Sequence, residues 1–395
     1  MATSAMSIDC SVKTIRRFRI SAARRLFHPG WTAEQNARVF GGRTTELGYG
    51  ANFTMFVAVE SGVDPATGMT MHTDDIRRVV DPVLAKFDHR HMTIETDHFA
   101  RVPATTEAIA SVLFELIRPG LPERVQLANV VVWESRSRWA DRSPSAIRSG
   151  ALHDVFWRTD EAVLPMAHST LAVVRAGDSL GVEAKPIDDA CEAFAHEAKP
   201  RAGDARTAFG LALAALKQRL VEVCSAGSSR VDRVALSDAF LGELSLDAAD
   251  VVKLSRAYEF EATHRMYNAQ LSEAENRELF GKGTNPFGHG HSFHVRVSTR
   301  VGGLEDAQAL ARGMDDAART VTGQLHRRRL ELEVPFFKDH VATSENVALW
   351  IWSELRERLG ERLDGLTVWG TENNLYEIGN EMPRLSGDDR AQTWH

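Results

Sequence analysis

Three histidines, His264, His289 and His291, carry the clearest chemical signal in the chain. Two histidines at i and i+2 point to different faces of a helix but to the same face of a strand. The residues that follow alternate, Phe293, Val295, Val297, Thr299 and Val301 against Ser292, His294, Arg296, Ser298 and Arg300. This pattern predicts a strand with His289 and His291 on its apolar face and His294 on the polar one. His264 closes another alternating run, Tyr258, Phe260 and Ala262 against Glu259 and Glu261, and a neighbouring antiparallel strand would bring it beside the pair. Three imidazoles with no fourth protein ligand make up a catalytic zinc site with one position open to water or substrate. A strand histidine is more often an ordinary core or surface residue, so spacing alone leaves metal binding open.

The surrounding motifs narrow the choice. Glu261-Ala-Thr-His264-Arg265-Met266-Tyr267, Leu271-Ser-Glu-Ala-Glu-Asn276, Leu279-Phe-Gly-Lys-Gly283, Asn285-Pro286 and Gly288-His-Gly-His291 follow one another. Val334-Pro-Phe-Phe337, Thr343-Ser-Glu-Asn-Val-Ala348 and Val368-Trp-Gly-Thr-Glu-Asn-Asn374 come after them. Together, over roughly residues 255–380, they resemble the 6-pyruvoyl-tetrahydropterin synthases, a family that includes 6-carboxytetrahydropterin synthases. A second, weaker copy lies upstream. Ser21 to Phe27 aligns with the His264 segment, Val39 to Arg43 with Leu279 to Gly283, and Gly48 to Phe53 with Gly288 to Phe293. Asp64-Pro-Ala-Thr-Gly-Met69, Phe87-Asp-His-Arg90, Thr105-Thr-Glu107 and Val132-Trp-Glu134 complete it. The chain reads as a tandem repeat.

The two copies lack opposite parts of what the resemblance implies. The metal positions of the first are Arg24, Tyr49 and Ala51, and neither an always-protonated guanidinium nor a methyl group can ligate zinc. The second keeps the histidines. The family's Asp-His pair, implied to prepare acid-base chemistry, falls on Asp88 and His89 in the first copy and on His326 and Arg327 in the second. The glutamate implied to anchor the pterin is Glu134 in the first and Gly370 in the second. Thr105 and Thr106 open a helix and either cap it or contact the pterin. The family's proton-moving cysteine falls on Gly283, and on Arg43 in the first copy. The resemblance thus implies a Zn2+-dependent lyase acting on 7,8-dihydroneopterin triphosphate or a related dihydropterin, its reaction open to divergence because the cysteine is missing. The composite site would take zinc from the second copy and Asp88, His89 and Glu134 from the first. The alternative is a non-catalytic pterin-binding or structural paralogue.

Those residues need elements to hold them. Each copy reads as two strands, two helices (near 74–87 and 106–117, then 304–325 and 344–359) and two strands, an α+β unit of the tunnelling fold that the resemblance implies. The expected domains are 10–145, without zinc ligands, and 255–380, with them. A connector at 146–254 reads as helical, with helices near 188–198, 204–224 and 232–256. Single units leave sheet edges open, so a homo-oligomer is expected, three chains before two. Hydrophobic content of 43% and charged content of 26% are ordinary for a globular protein. A net charge of −7 argues against general nucleic-acid binding, and no apolar run reaches the roughly 18 residues of a membrane span. Cys10, Cys191 and Cys224 are far apart in sequence, which fits a reducing cytoplasm rather than a disulfide frame.

Overall fold

The computed structural model describes residues 10–135, 138–156, 168–176, 205–224, 230–238, 242–302 and 307–379. Twelve strands form a closed antiparallel barrel in the spatial order β1-β12-β11-β10-β9-β8-β7-β6-β5-β4-β3-β2. The first unit supplies β1 (Val12–Arg24), β2 (Tyr49–Ser61), β3 (Gln126–Ser135) and β4 (Arg138–Arg142). The last supplies β9 (Val252–His264), β10 (His289–Val301), β11 (Leu363–Thr371) and β12 (Asn374–Gly379).

Between them lie β5 (Ile147–Phe156), β6 (His168–Ala176), β7 (Arg230–Asp238) and β8 (Gly242–Asp247). This corrects the expectation of a helical connector. The segment contributes a third of the barrel, and its one described helix is Ala205–Cys224. The expected helix near 188–198 lies outside the described residues. Over 232–256 the governing period is two. Val234 and Leu236, then Leu244 and Leu246, then Leu254 face the core, while Arg233, Glu243, Ser245 and Ser255 take the other face. A turn at Asp247–Asp250 breaks the run, with Asp247 accepting the N–H groups of Ala249 and Val251.

Among the described residues seven helices of eight residues or more accompany the barrel: α1 (Ala33–Phe40), α2 (Thr73–Leu84), α3 (Thr106–Ile117), α4 (Ala205–Cys224), α5 (Glu273–Phe280), α6 (Ala307–Leu325) and α7 (Ser344–Leu359). A twelve-stranded ring has no room for several rods about 10 Å wide, so they pack outside. Phe53, Met55, Val57 and Val59 of β2 meet Ile76 and Val80 of α2 and Ile109 and Leu113 of α3. Phe293, Val295 and Val297 of β10 meet Met314 and Val321 of α6 and Val347 and Ile351 of α7. Because β1 pairs with β12, the ring closes within one chain. The edge argument for a three-chain assembly therefore does not apply. Among the described residues no helix is long and apolar enough to cross a membrane.

Candidate functional site

The strand register sets the histidine cluster. In the β9–β10 ladder His264 stands opposite His289 and Ala262 opposite His291. All three imidazoles emerge on the helix-covered face beside Phe293. Gly288 makes the entry to β10 possible, because its φ of +74° lies in the region that residues with a Cβ avoid. One nitrogen from each ring falls within 4.8 Å of the others. His264 is buried, and its Nδ1 donates to the Ala342 carbonyl, which fixes the tautomer and leaves the Nε2 lone pair free.

His264 Nε2 and His289 Nδ1 are buried without a hydrogen-bond partner. Buried polar atoms are seldom left so, and unpartnered lone pairs converging on one point fit a cation. Burial pushes the pKa of His264 down to about 3, and burial with the neighbouring His289 pushes His291 down to about 4. Burial and the nearby Lys282 charge lower His289 as well. All three are therefore neutral ligands near neutral pH. This donor set fits Zn2+ with one open position.

The histidines open into a cleft of about 1160 Å³ built from both family-like units. The second unit gives the histidines, Met266, Gly283 and Lys282, and the first gives Arg16 and a wall from Met69 to Arg78. The junction is tight. Thr343 Oγ1 donates to the Gly68 carbonyl at 2.5 Å, and Asn268 Nδ2 to the Ala66 carbonyl at 2.7 Å. Gly68 has φ +69°, and a Cβ there would stand 2.7 Å from Asn346 Nδ2, so Asp64–Met69 can dock only with glycine at its apex. At the base of the cleft the buried Glu345 accepts from Thr14 Oγ1 at 3.5 Å and from the Thr70 N–H, and burial raises its pKa to about 8. The sequence reading missed this wall and Glu345. Their signals were present in the Asp64–Met69 and Thr343–Asn346 motifs, but motifs do not say which unit docks on which.

The first unit repeats the geometry without the ligands. Arg24 pairs with Tyr49 and Ala22 with Ala51, the same register as around the histidines. Arg24 takes the place of His264, down to its hydrogen bond to the Ala104 carbonyl at 2.6 Å. Its guanidinium lies 2.5 Å from Glu134 and over the rings of Tyr49 and Phe53. Thr106 Oγ1 also donates to Glu134, at 2.9 Å, and Thr105 caps α3 through the Ala108 N–H. Burial would raise the Glu134 pKa, but Arg24 outweighs it and holds the carboxyl below its usual value.

Glu134, Thr105 and Thr106 are thus engaged inside their own unit. By the shorter route β2, β1, β12 and β11 separate β3 from β10, five spacings or roughly 24 Å along the sheet. Within one chain Glu134 does not meet the histidines. Asp88 and His89 are also outside the cleft. They sit 3.0 Å apart, His89 79% exposed, against Ser21 near the end of β1. The Ser21 N–H that Asp88 accepts keeps its carboxyl below the usual range.

Comparison with known proteins follows the same division. The 6-pyruvoyl tetrahydropterin synthase family model matches residues 13–144 and again 253–381. The chain belongs to this family. Over 134 residues it is 37% identical to the 6-pyruvoyl tetrahydrobiopterin synthase of Homo sapiens, covering 33% of this chain and 92% of that protein. The Dictyostelium discoideum synthase is 32% identical over 133 residues, 33% of this chain and 97% of its own. A dihydroneopterin monophosphate aldolase of Pyrococcus furiosus is 34% identical over 86 residues, 22% of this chain and 69% of that protein. Among solved structures, the Caenorhabditis elegans 6-pyruvoyl tetrahydropterin synthase is 33% identical, with a TM-score of 0.30, covering 33% of this chain and 96% of that one.

Proposed function

We propose that this chain is a zinc-dependent lyase acting on a dihydropterin with a hydroxylated side chain, such as 7,8-dihydroneopterin triphosphate. The observation that carries this reading is the convergence of His264, His289 and His291 on one point in a cleft. The names of the relatives, synthases and an aldolase of pterins, supply the substrate class. Bound there, zinc would act as a Lewis acid on the side-chain hydroxyls. The chain's own residues would do the rest. The histidines hold the metal, the wall from Met69 to Arg78 and Arg16 enclose the ligand, and a base within hydrogen-bond reach takes the proton.

Asp88 and His89 are our candidates for that base, with His89 exchanging the proton and Asp88 fixing its tautomer. Since they lie outside the cleft of their own chain, the reading requires a second chain to bring them. The exposed apolar residues support such pairing. Leu47 and Phe287 precede β2 and β10, and Ile94 and Leu332 sit in matching turns beside the ends of β1 and β9. All four lie at the barrel end that bears the histidines, and exposed apolar surface grouped on one face marks contact sites. We therefore favour a homo-oligomer of closed barrels, two chains meeting end to end.

The test is incubation of zinc-loaded protein with dihydroneopterin triphosphate and, separately, dihydroneopterin, with products separated after oxidation and read by pterin fluorescence. Metal-dependent loss or shortening of the side chain is expected. Binding without turnover in a protein carrying a full metal equivalent would favour the non-catalytic alternative.

A further inference from the structure

Gly283 is the one buried residue of the short turn Gly281–Thr284 that lines the histidine cleft. Its carbonyl accepts the Met266 N–H at 2.9 Å, so the two backbones are fixed neighbours. A Cβ built on Gly283 would overlap Met266 Cε and stand 3.6 Å from Met266 Sδ. The end of the Met266 side chain fills the volume that any side chain at position 283 would need.

The first unit holds the internal comparison. There the Leu26 N–H donates to the Arg43 carbonyl at 3.0 Å, the same backbone contact. Arg43 carries a full side chain beside Leu26, and its charge is felt by Tyr49 and Glu134. The fold thus accommodates a side chain at this turn, directed into the site, when its neighbour is the shorter Leu26. In the second unit the neighbour is the longer, unbranched methionine and the turn residue is glycine.

We propose that Met266 is a specificity-determining residue of the histidine cleft. Its thioether closes position 283, so the ligand meets an apolar wall there instead of a proton-transferring side chain. The wall suits an uncharged, C–H-rich part of the ligand. Any proton exchange then comes from a group other than residue 283. A thioether is a weak acceptor and no acid, and methionine adapts to irregular gaps, which fits a residue that replaces a reactive group by packing. This functional consequence rests on the pterin-lyase reading; the packing relation does not.

A double-mutant cycle tests it, with Gly283→Cys, Met266→Leu and the double variant, each checked for zinc content. Overpacking is destabilising, and because the overlapping atom is the free end of an unbranched side chain, the loss in a chain of this size is a Tm lowered by about 1–4 °C. We expect this loss for Gly283→Cys alone, little change for Met266→Leu, and recovery of most of the loss in the double variant. The thiol introduced at position 283 should react readily with a disulfide reagent in the double variant and slowly in the single one. Equal stability of all four proteins, additive losses, or a double variant that does not fold would overturn the proposal. If stability and thiol reactivity follow the cycle but no variant turns over a pterin, the pterin-lyase reading and the specificity role fail, while the packing of Met266 against position 283 stands.

Discussion

Replacing Glu345 by glutamine should abolish a pH dependence of stability that the native chain carries at the junction of its two family-like units. Glu345 is 3% exposed and has its pKa raised from 4.5 to about 8, mainly by burial. A folded-state pKa above the unfolded value means that the neutral acid is the form the fold prefers. Its contribution is complete below about pH 4.5, declines as pH rises, and is gone above about pH 8. Each pH unit well inside that window costs about 1.4 kcal/mol, and because the slope falls off as the folded pKa is reached, the step from pH 6 to 8 removes about 2 kcal/mol. Glutamine has the same shape and no proton to lose. Urea denaturation of both proteins at pH 6, 7, 8 and 9 gives the difference in unfolding free energy, in which the other titrating groups cancel. Glu345→Gln should gain on the native protein by about 2 kcal/mol between pH 6 and 8 and then level off. A difference that stays constant to within about 0.5 kcal/mol would show that Glu345 is ionised in the folded chain and that its burial has been misjudged.

Purified protein should carry about one zinc per chain, as three-histidine sites bind one ion; His289→Ala with His291→Ala should carry none, and two equivalents in the native chain would count against a metal-free first unit. Arg24→Ala strands Glu134 without its cation in a largely enclosed site, a change that typically costs about 3–5 kcal/mol, read as a lowered denaturation midpoint; loss of under 1 kcal/mol would mean that the pair is solvated. The fragment 250–395 loses the partners of β9 and β12 and should self-associate through those edges, so a stable monomer by sedimentation would contradict the need for ring closure. The same fragment, lacking the wall from Met69 to Arg78, should keep its metal but not pterin turnover as a monomer.

The metal-like cluster was legible because a strand has a strict period of two. Once Phe293, Val295 and Val297 marked the apolar face, the directions of His289 and His291 followed, and a ladder of the expected kind brought in His264. The middle of the barrel was not legible in the same way. Its alanine-rich run from Leu211 to Leu216 predicts a helix, and a helix forms there. The shorter alternations at Val234–Leu236 and Leu244–Leu246 also fit a helical period, yet they form strands. Short apolar pairs separated by charged residues are ambiguous between the two periods. The ambiguity is resolved by the unpaired edges of β4 and β9, which demand partners that a local pattern cannot announce. Which unit docks on which was equally hidden, because contacts such as Thr343 to Gly68 join residues 275 positions apart.

The first unit also argues that the loss of its ligands was compensated rather than neglected. Without a side chain such as Arg24 at this position, the Ala104 carbonyl would lack a donor and the Glu134 carboxylate would keep Thr106 but lose its closest cation, and poorly paired buried charge is costly. Arg24 answers both, donating to Ala104 and pairing with Glu134, while its plane lies over Tyr49 and Phe53. A lysine has neither the several fixed donors nor the planar face for this. A permanently bonded guanidinium turns the position into a structural anchor for β1, β2 and β3, the strands beside the cleft wall. In the second unit the Ala342 carbonyl has its donor from His264 Nδ1, while His264 Nε2 and His289 Nδ1 stay without a hydrogen-bond partner. That division lets one chain hold an open site next to a closed copy of it.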